Sequence, residues 1–303
     1  MNKRKIILFL LIAFVLSWSV GGLIYLLHID IKSINAVLLL VGYMYMPALS
    51  ALLVQKYIFK EAMIKPLKIS FRLNIYFFWA LLIPLILVLI ATGIGFLFNS
   101  VTYAPDMSGM FEMYKNKLSP EDIAKIQDSI KNLPIHPIWI VIGQGLIAAV
   151  TVNTLAAFGE ELGWRGFLLS ELKTLSYFKA SLLIGIIWGL WHAPVILMGH
   201  NYPEHPQWGV LFMIIFCTLY TFLFVYVTLK AKSVIAASIM HGSVNAFFGI
   251  TIMLSSGGTD LSIGIAGAAG FITLALAIVL LFIYDKWISK DRLMGRTIGE
   301  SID

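Results

Sequence analysis

Apolar residues in this chain gather into runs of membrane-spanning length. Eight such runs follow one another, at about 6–27, 35–55, 74–98, 137–160, 181–199, 208–229, 233–255 and 262–284, most of them near the roughly 20 residues that cross a hydrocarbon core. Short polar breaks separate them, with one longer break at 99–136. This pattern predicts an all-α fold, a polytopic transmembrane helical bundle of about eight spans forming a single membrane domain over 1–303. Within the long break, Ser119-Pro120-Glu121-Asp122 reads as a helix start, because Ser caps, Pro suits the first turn and acids favour the positive helix end. Ile123, Ile126, Ile130 and Leu133 then share one face. That stripe fits a helix lying on the membrane and equally a loop helix packed on the bundle. Gly264, Gly267 and Gly270 in the last run read as sites of close helix approach.

Charge sets an expected orientation. Lys3, Arg4 and Lys5 precede the first run. Lys56, Lys60, Lys65, Lys68 and Arg72 lie between runs two and three, Lys173 and Lys179 between four and five, and Lys230 and Lys232 between six and seven. Lys286, Lys290, Arg292 and Arg296 follow the eighth. These are alternate breaks, so one topology satisfies all of them: N and C termini cytoplasmic, with 99–136 an outer loop and 285–303 a cytoplasmic tail that holds topology. The basic n-region also suits a signal peptide. The run behind it is longer than an h-region and lacks a small-x-small exit, which favours a retained span.

Composition agrees. Hydrophobic residues make up 59% of 303 and charged residues 13%, about half the charged share of a soluble domain. The net charge of +6 sits beside apolar runs and so gives no reason to expect nucleic acid. The expected surroundings are a lipid bilayer, in a prokaryotic cell membrane. A single Cys217 excludes a disulfide within the chain. Oligomeric state is not readable.

Ionisable groups inside apolar runs are costly and read as functional by default. Glu160-Glu161 closes the fourth run, and Arg165 follows. Helical spacing places Glu161 and Arg165 one turn apart on one face, where they neutralise each other. Glu160 points about 100° away without that partner, a setting suited to general acid–base chemistry. An ion pair at a helix end with a solvated neighbour is the competing reading. His192 lies roughly 16 Å into the fifth run and His241 roughly 12 Å into the seventh, measured from the same side. Both can meet Glu160 at one depth, although a lone membrane histidine is more often a satisfied interhelical contact. His241 and Asn245 share a helical face one turn apart and can hold a metal or donate to an oxyanion. Trp164, Trp188 and Trp191 fit packing or an interfacial belt better than the wall of a site. Asn153 reads as a helix–helix polar contact.

Glu160-Glu161-x-x-x-Arg165, then Trp188-x-x-x-His192, then His241-x-x-x-Asn245 resembles the CAAX protease and bacteriocin-processing (CPBP/Abi) family of intramembrane proteases. The ordered motifs extend from 160 to 245, and the likeness covers runs four to seven, a catalytic core of about 137–255. Glu-Glu-x-Gly-Trp-Arg-Gly is a close match, while Trp188 stands where the family often has Phe. The resemblance implies hydrolysis of peptide bonds in membrane-associated peptide or protein substrates. In it Glu160 and His192 activate a water, His241 and Asn245 stabilise the tetrahedral intermediate, and Glu161 and Arg165 support the site. The family is widely labelled metalloprotease. Glu160, His192 and His241 offer a two-His-one-carboxylate zinc set. The preferred reading requires no cofactor, because Asn is an uncommon zinc ligand and a good oxyanion donor.

Other chemistries fit less well. There is no His-Glu-x-x-His motif and no Gly-x-Ser-x-Gly elbow, and Asp260 lies in an outer loop, so a two-aspartate mechanism lacks its second membrane acid. Two rival classes remain. A proton- or ion-coupled transporter also buries Glu, Arg and His, though it more often shows repeated halves with broken helices. A non-catalytic immunity or scaffold protein would retain the bundle alone.

Overall fold

The computed structural model describes residues 1–31, 33–109, 111 and 119–302. Its architecture is a polytopic helical bundle. Helix α1 spans Lys3–Leu26, α2 Ile34–Leu52 and α3 Ile75–Gly95, and α2 runs on into a wide π turn over Leu53–Ile58. The outer helix α4, Pro120–Lys131, precedes α5 (Ile138–Val150) and α6 (Val152–Glu161). Next come α7 (Tyr177–Trp191), a short α8 (Ala193–Leu197), α9 (Pro206–Ala231), α10 (Val234–Phe247), α11 (Ile250–Leu254) and α12 (Ala268–Trp287). Strands β1 (Val101–Tyr103) and β2 (Ser255–Gly257) pair antiparallel, Thr102 opposite Ser256, and join the outer segment to the end of α11.

A side-chain cap starts most of these helices. Asn2, Ser33, Asn74, Ser119, Ser176 and Ser233 each accept a backbone N–H two or three residues on. Such caps satisfy amides that have no partner inside the helix. At the far end of α9, Lys232 turns left-handed (φ 51°) and ends the helix before Ser233 opens α10.

Among the described residues, six helices are long and apolar enough to cross a membrane. The predicted span 137–160 is instead a bent pair. Helices α5 and α6 meet at 47°, and the helical backbone continues through a π turn (Leu162–Leu168) to Glu171. Glu160 therefore sits mid-helix rather than at a span's end. The predicted span 181–199 is the short helix α7 broken from α8 at His192. The glycine reading of the last run also changes. Gly264 takes φ +78° in the turn before α12 and Gly267 caps the helix, so both shape the entry loop.

Helices α9 and α10 are the inner ones: 56% and 61% of their apolar windows are buried, against 22% for α1 and 28% for α12. Glycines set the closest approaches. A Cβ at Gly185 or Gly189 of α7 would collide with the backbone of Thr218 or Ile214 on α9, and one at Gly242 of α10 with Ala149 O and Thr154 N. The α5–α6 break faces α10, and its freed carbonyl is served locally. Thr154 Oγ1 donates to Ala149 O at 2.5 Å, and Asn153 Nδ2 donates to Gly242 O at 3.3 Å, the interhelical contact expected of Asn153.

The segments that charge placed on one side meet at one end of the bundle. Lys5 Nζ bonds Glu61 and Glu171, each at 2.6 Å. Asn74 Nδ2 donates to Ala231 O, and Val234 N to Lys68 O. Lys5 is thus a buried structural cation (2% exposed) and not only an orienting surface charge. The basic tail is docked rather than loose. Asp285 accepts the N–H groups of Leu293 and Met294 and the Tyr226 hydroxyl, and Ile298 N donates to Leu175 O. At the other end, α4 turns Ile123, Ile126 and Ile130 half-inward, over a cavity of about 440 Å³ that Ile130 and His136 help to line.

Candidate active site

Helix α6 ends on the acidic pair, and Arg165 lies in the π turn that follows. Glu161 and Arg165 are fully buried, and Arg165 Nη1 donates to Glu161 Oε1 at 3.0 Å, the one-turn pair that the spacing predicts. Arg165 Nη2 donates to Thr221 Oγ1 of α9 at 3.0 Å, and the guanidinium sits in the corner formed by the rings of Trp188 (4.2 Å) and Phe224 (4.3 Å), which meet edge to face. A planar, weakly hydrated cation suits such an aromatic corner, and the rings add to the carboxylate's compensation of its burial.

Glu161 does more than neutralise Arg165. The same Oε1 lies 2.8 Å from His241 Nδ1 on α10. An ionised carboxylate only accepts, so Nδ1 carries the proton and Nε2 is left free of that bond. His192 is fixed the same way. Its Nδ1 lies 2.8 Å from the Trp188 carbonyl, which also only accepts, so Nε2 again holds the free position.

Glu160 is 2% exposed and has a partner that the sequence reading did not give it. Trp188 Nε1 donates to Glu160 Oε2 at 2.6 Å. Trp188 is therefore the hub of the site rather than belt or packing. Its ring centroid lies 5.7 Å from that of His192 and 5.5 Å from that of His241. Trp191 stacks edge-on to His192 at 4.7 Å, and Trp164 packs behind Trp191 at 5.8 Å. Asn245 lies one turn beyond His241 on α10 and is exposed. The structure thus brings Glu160, Glu161, Arg165, His192 and His241 around one indole, and it shows no contact of the exposed Asn245 with them. Thr221, Phe224 and Tyr43 also belong to this surround. Nothing in their local sequence distinguishes them from ordinary span residues, because each is recruited by packing across helices.

The donor chemistry of Glu160, His192 and His241 suits a divalent metal, since both histidines have an anchored Nδ1 in the manner of ligands with outer partners. Their arrangement does not. Ligand atoms about 2 Å from one ion must crowd together, and among the described residues the trio whose ligand atoms lie within 4.8 Å of one another is Glu204, His205 and Asp260 in the outer loops. There Asp260 is occupied, accepting from Glu204 N, His205 N and His205 Nδ1. Glu160, His192 and His241 are not drawn together to that degree, so the inner set as arranged does not close on one ion.

These features define a class: a multi-pass membrane protein with a buried carboxylate–imidazole centre held inside its bundle. Residues 141–247 match the family described as type II CAAX prenyl endopeptidase Rce1-like. A segment of the chain is 40% identical over 98 residues to CAAX prenyl protease 2 of Methanococcus maripaludis, covering 30% of this chain and 36% of that protein. The chain thus matches about a third of the length of that curated relative. The matched segment 141–247 carries Glu160, Glu161, Arg165, Trp188, His192, His241 and Asn245.

Proposed function

We propose that this protein is an intramembrane endopeptidase that hydrolyses peptide bonds of membrane-associated peptides or proteins, with C-terminal CAAX peptides as the first substrates to test. The observation that carries this reading is the anchoring of both histidines through Nδ1, which leaves both Nε2 atoms free of those bonds around the indole that also holds Glu160.

Hydrolysis needs a base for water and a donor for the developing oxyanion. Glu160 is the base in this reading, and the Trp188 indole holds one of its oxygens so that the other is free to take a proton. The lone pair at His192 Nε2 orients the water between them. As the water oxygen attacks the scissile carbonyl, its proton passes to Glu160 and the carbonyl oxygen becomes anionic. His241 in its charged form has a second N–H at Nε2 for that oxygen, with Glu161 balancing the imidazolium, and the Asn245 amide is the second donor. Glu160 then returns its proton to the leaving amine. No step is assigned to a metal. The end of the bundle that gathers Lys and Arg faces the cytoplasm in this scheme, as the positive-inside rule requires.

The test is cleavage of a lipid-anchored CAAX peptide by the purified protein. Wild type should release the C-terminal peptide and Glu160→Gln should not. Equal cleavage by both refutes Glu160 as base. Proton-coupled flux into liposomes without any cleavage would assign the site to transport. Elemental analysis of active protein decides the metal: full activity at substoichiometric metal is expected, and activity that tracks bound zinc overturns the metal-free scheme.

A further inference from the structure

Helices α1 and α2 lie outside the family segment, yet both reach its centre. The peptide group between Trp191 and His192 is the last of α7, where carbonyls lose their helical donors. Pro194 follows close behind and brings no N–H to replace one. The Trp191 carbonyl oxygen instead accepts from two side chains: the Tyr43 hydroxyl of α2 at 2.5 Å and the Trp18 Nε1 of α1 at 3.1 Å. Tyr43 is buried and its ring lies against that of Trp191 at 4.4 Å. On α1, a Cβ at Gly21 would meet Pro194 Cβ at 3.1 Å, so this helix is seated closely on the break.

A peptide unit is planar, so fixing its oxygen fixes the nitrogen across the same plane. That nitrogen belongs to His192. From these contacts we infer that Tyr43 and Trp18 are positioning residues for His192: two donors from the N-terminal helix pair pin the Trp191 carbonyl and thereby set the backbone that aims the imidazole. Neither side chain is assigned a contact with substrate. The inference deepens the hydrolase reading and rests on it for its kinetic consequence. The competing role is plain satisfaction of a helix-end carbonyl, which would stabilise the fold without aiming the ring.

The experiment compares wild type, Tyr43→Phe, Trp18→Phe and the double variant as full-length protein in detergent or bilayer. Each single change keeps an aromatic ring and leaves one donor on the carbonyl, so kcat should fall only a few-fold. The double variant leaves none, and kcat for the lipid-anchored peptide should fall about 10- to 100-fold, the scale of a misplaced catalytic group, with KM nearly unchanged. Independently of activity, ¹⁵N-histidine NMR, with His192 assigned through His192→Gln, should show the single Nδ1–H tautomer in wild type and a mixture in the double variant. Unchanged kcat in the double variant overturns the inference, and so does a native His192 tautomer below its melting transition. If wild type cleaves nothing, the hydrolase reading fails, and the tautomer measurement still decides whether the two donors aim the ring.

Discussion

His241 Nδ1 and Arg165 Nη1 converge on one oxygen, Glu161 Oε1, at 2.8 and 3.0 Å. A single buried carboxylate therefore ties α6, the π turn and α10 together. It also distinguishes the two adjacent acids: Glu161 holds Arg165 and His241, whereas Glu160 accepts from the Trp188 indole.

That division predicts opposite behaviour in two isosteric variants. Glu161→Gln leaves the buried Arg165 without its counter-charge, and breaking such a pair costs about 3–5 kcal/mol. Its melting temperature in detergent should drop clearly and its cleavage should be lost. Glu160→Gln should abolish cleavage with a melting temperature close to wild type. A Glu160→Gln protein as unstable as Glu161→Gln would contradict the division.

The indole bond to Glu160 predicts the effect of Trp188→Phe. The ring, and with it the face presented to Arg165, is retained while the N–H is removed. A hydrogen bond to a charged group contributes about 1.5–3 kcal/mol, so kcat/KM should fall about 10- to 100-fold. A fall in activity no greater than the fall in folded fraction would reduce Trp188 to packing.

Arg165→Lys keeps the charge and loses the shape. An ammonium cannot pack flat in the corner of Trp188 and Phe224 while donating to both Glu161 and Thr221. A destabilisation of about 2 kcal/mol is expected, read from thermal or denaturant unfolding in detergent. Stability equal to wild type would show that point charge alone suffices.

Lys68, in the loop between α2 and α3, gives a pH signature outside the spans. Burial pushes its ammonium down to about 8, and its Nζ donates to Ser170 Oγ at 3.2 Å. The unfolded chain holds that proton to about 10.4, so between pH 8 and 10.4 the unfolded state binds more protons and stability rises with pH from this group. Below pH 8 the burial penalty is felt in full. Lys68→Met should therefore raise the melting temperature at pH 7 and flatten its rise between pH 8 and 10. A variant less stable than wild type at pH 7 would show that the ammonium contributes a favourable contact instead.

Much of this was readable in the chain because bilayer physics is written in run length and charge. The eight runs, the capped outer helix at Ser119 and the Glu161–Arg165 pair all follow from local spacing. So does the polar contact of Asn153. The misreadings share a cause, which is that they depend on contacts across helices. Trp188 looked like belt because an indole in an apolar run has many uses, and only α6 packed opposite reveals its carboxylate. Lys5 looked like an orienting charge because Glu61 and Glu171 lie far away in sequence. Glu160 looked like the end of a span because a π turn has no compositional mark. Tyr43 and Trp18 were invisible for the same reason, as their shared acceptor is a backbone oxygen that no side-chain pattern encodes.

The docked tail has a consequence for biogenesis. The Leu293 and Met294 amides that cap Asp285, and the Ile298 amide that reaches Leu175, leave the ribosome after all eight apolar runs have been made. The clasp over the loop that follows the π turn can therefore close only once membrane insertion is finished. A chain halted between Asp285 and Leu293 would keep every span yet hold a buried acid without those amides, giving quality-control proteases a chemical difference between an unfinished bundle and a finished one.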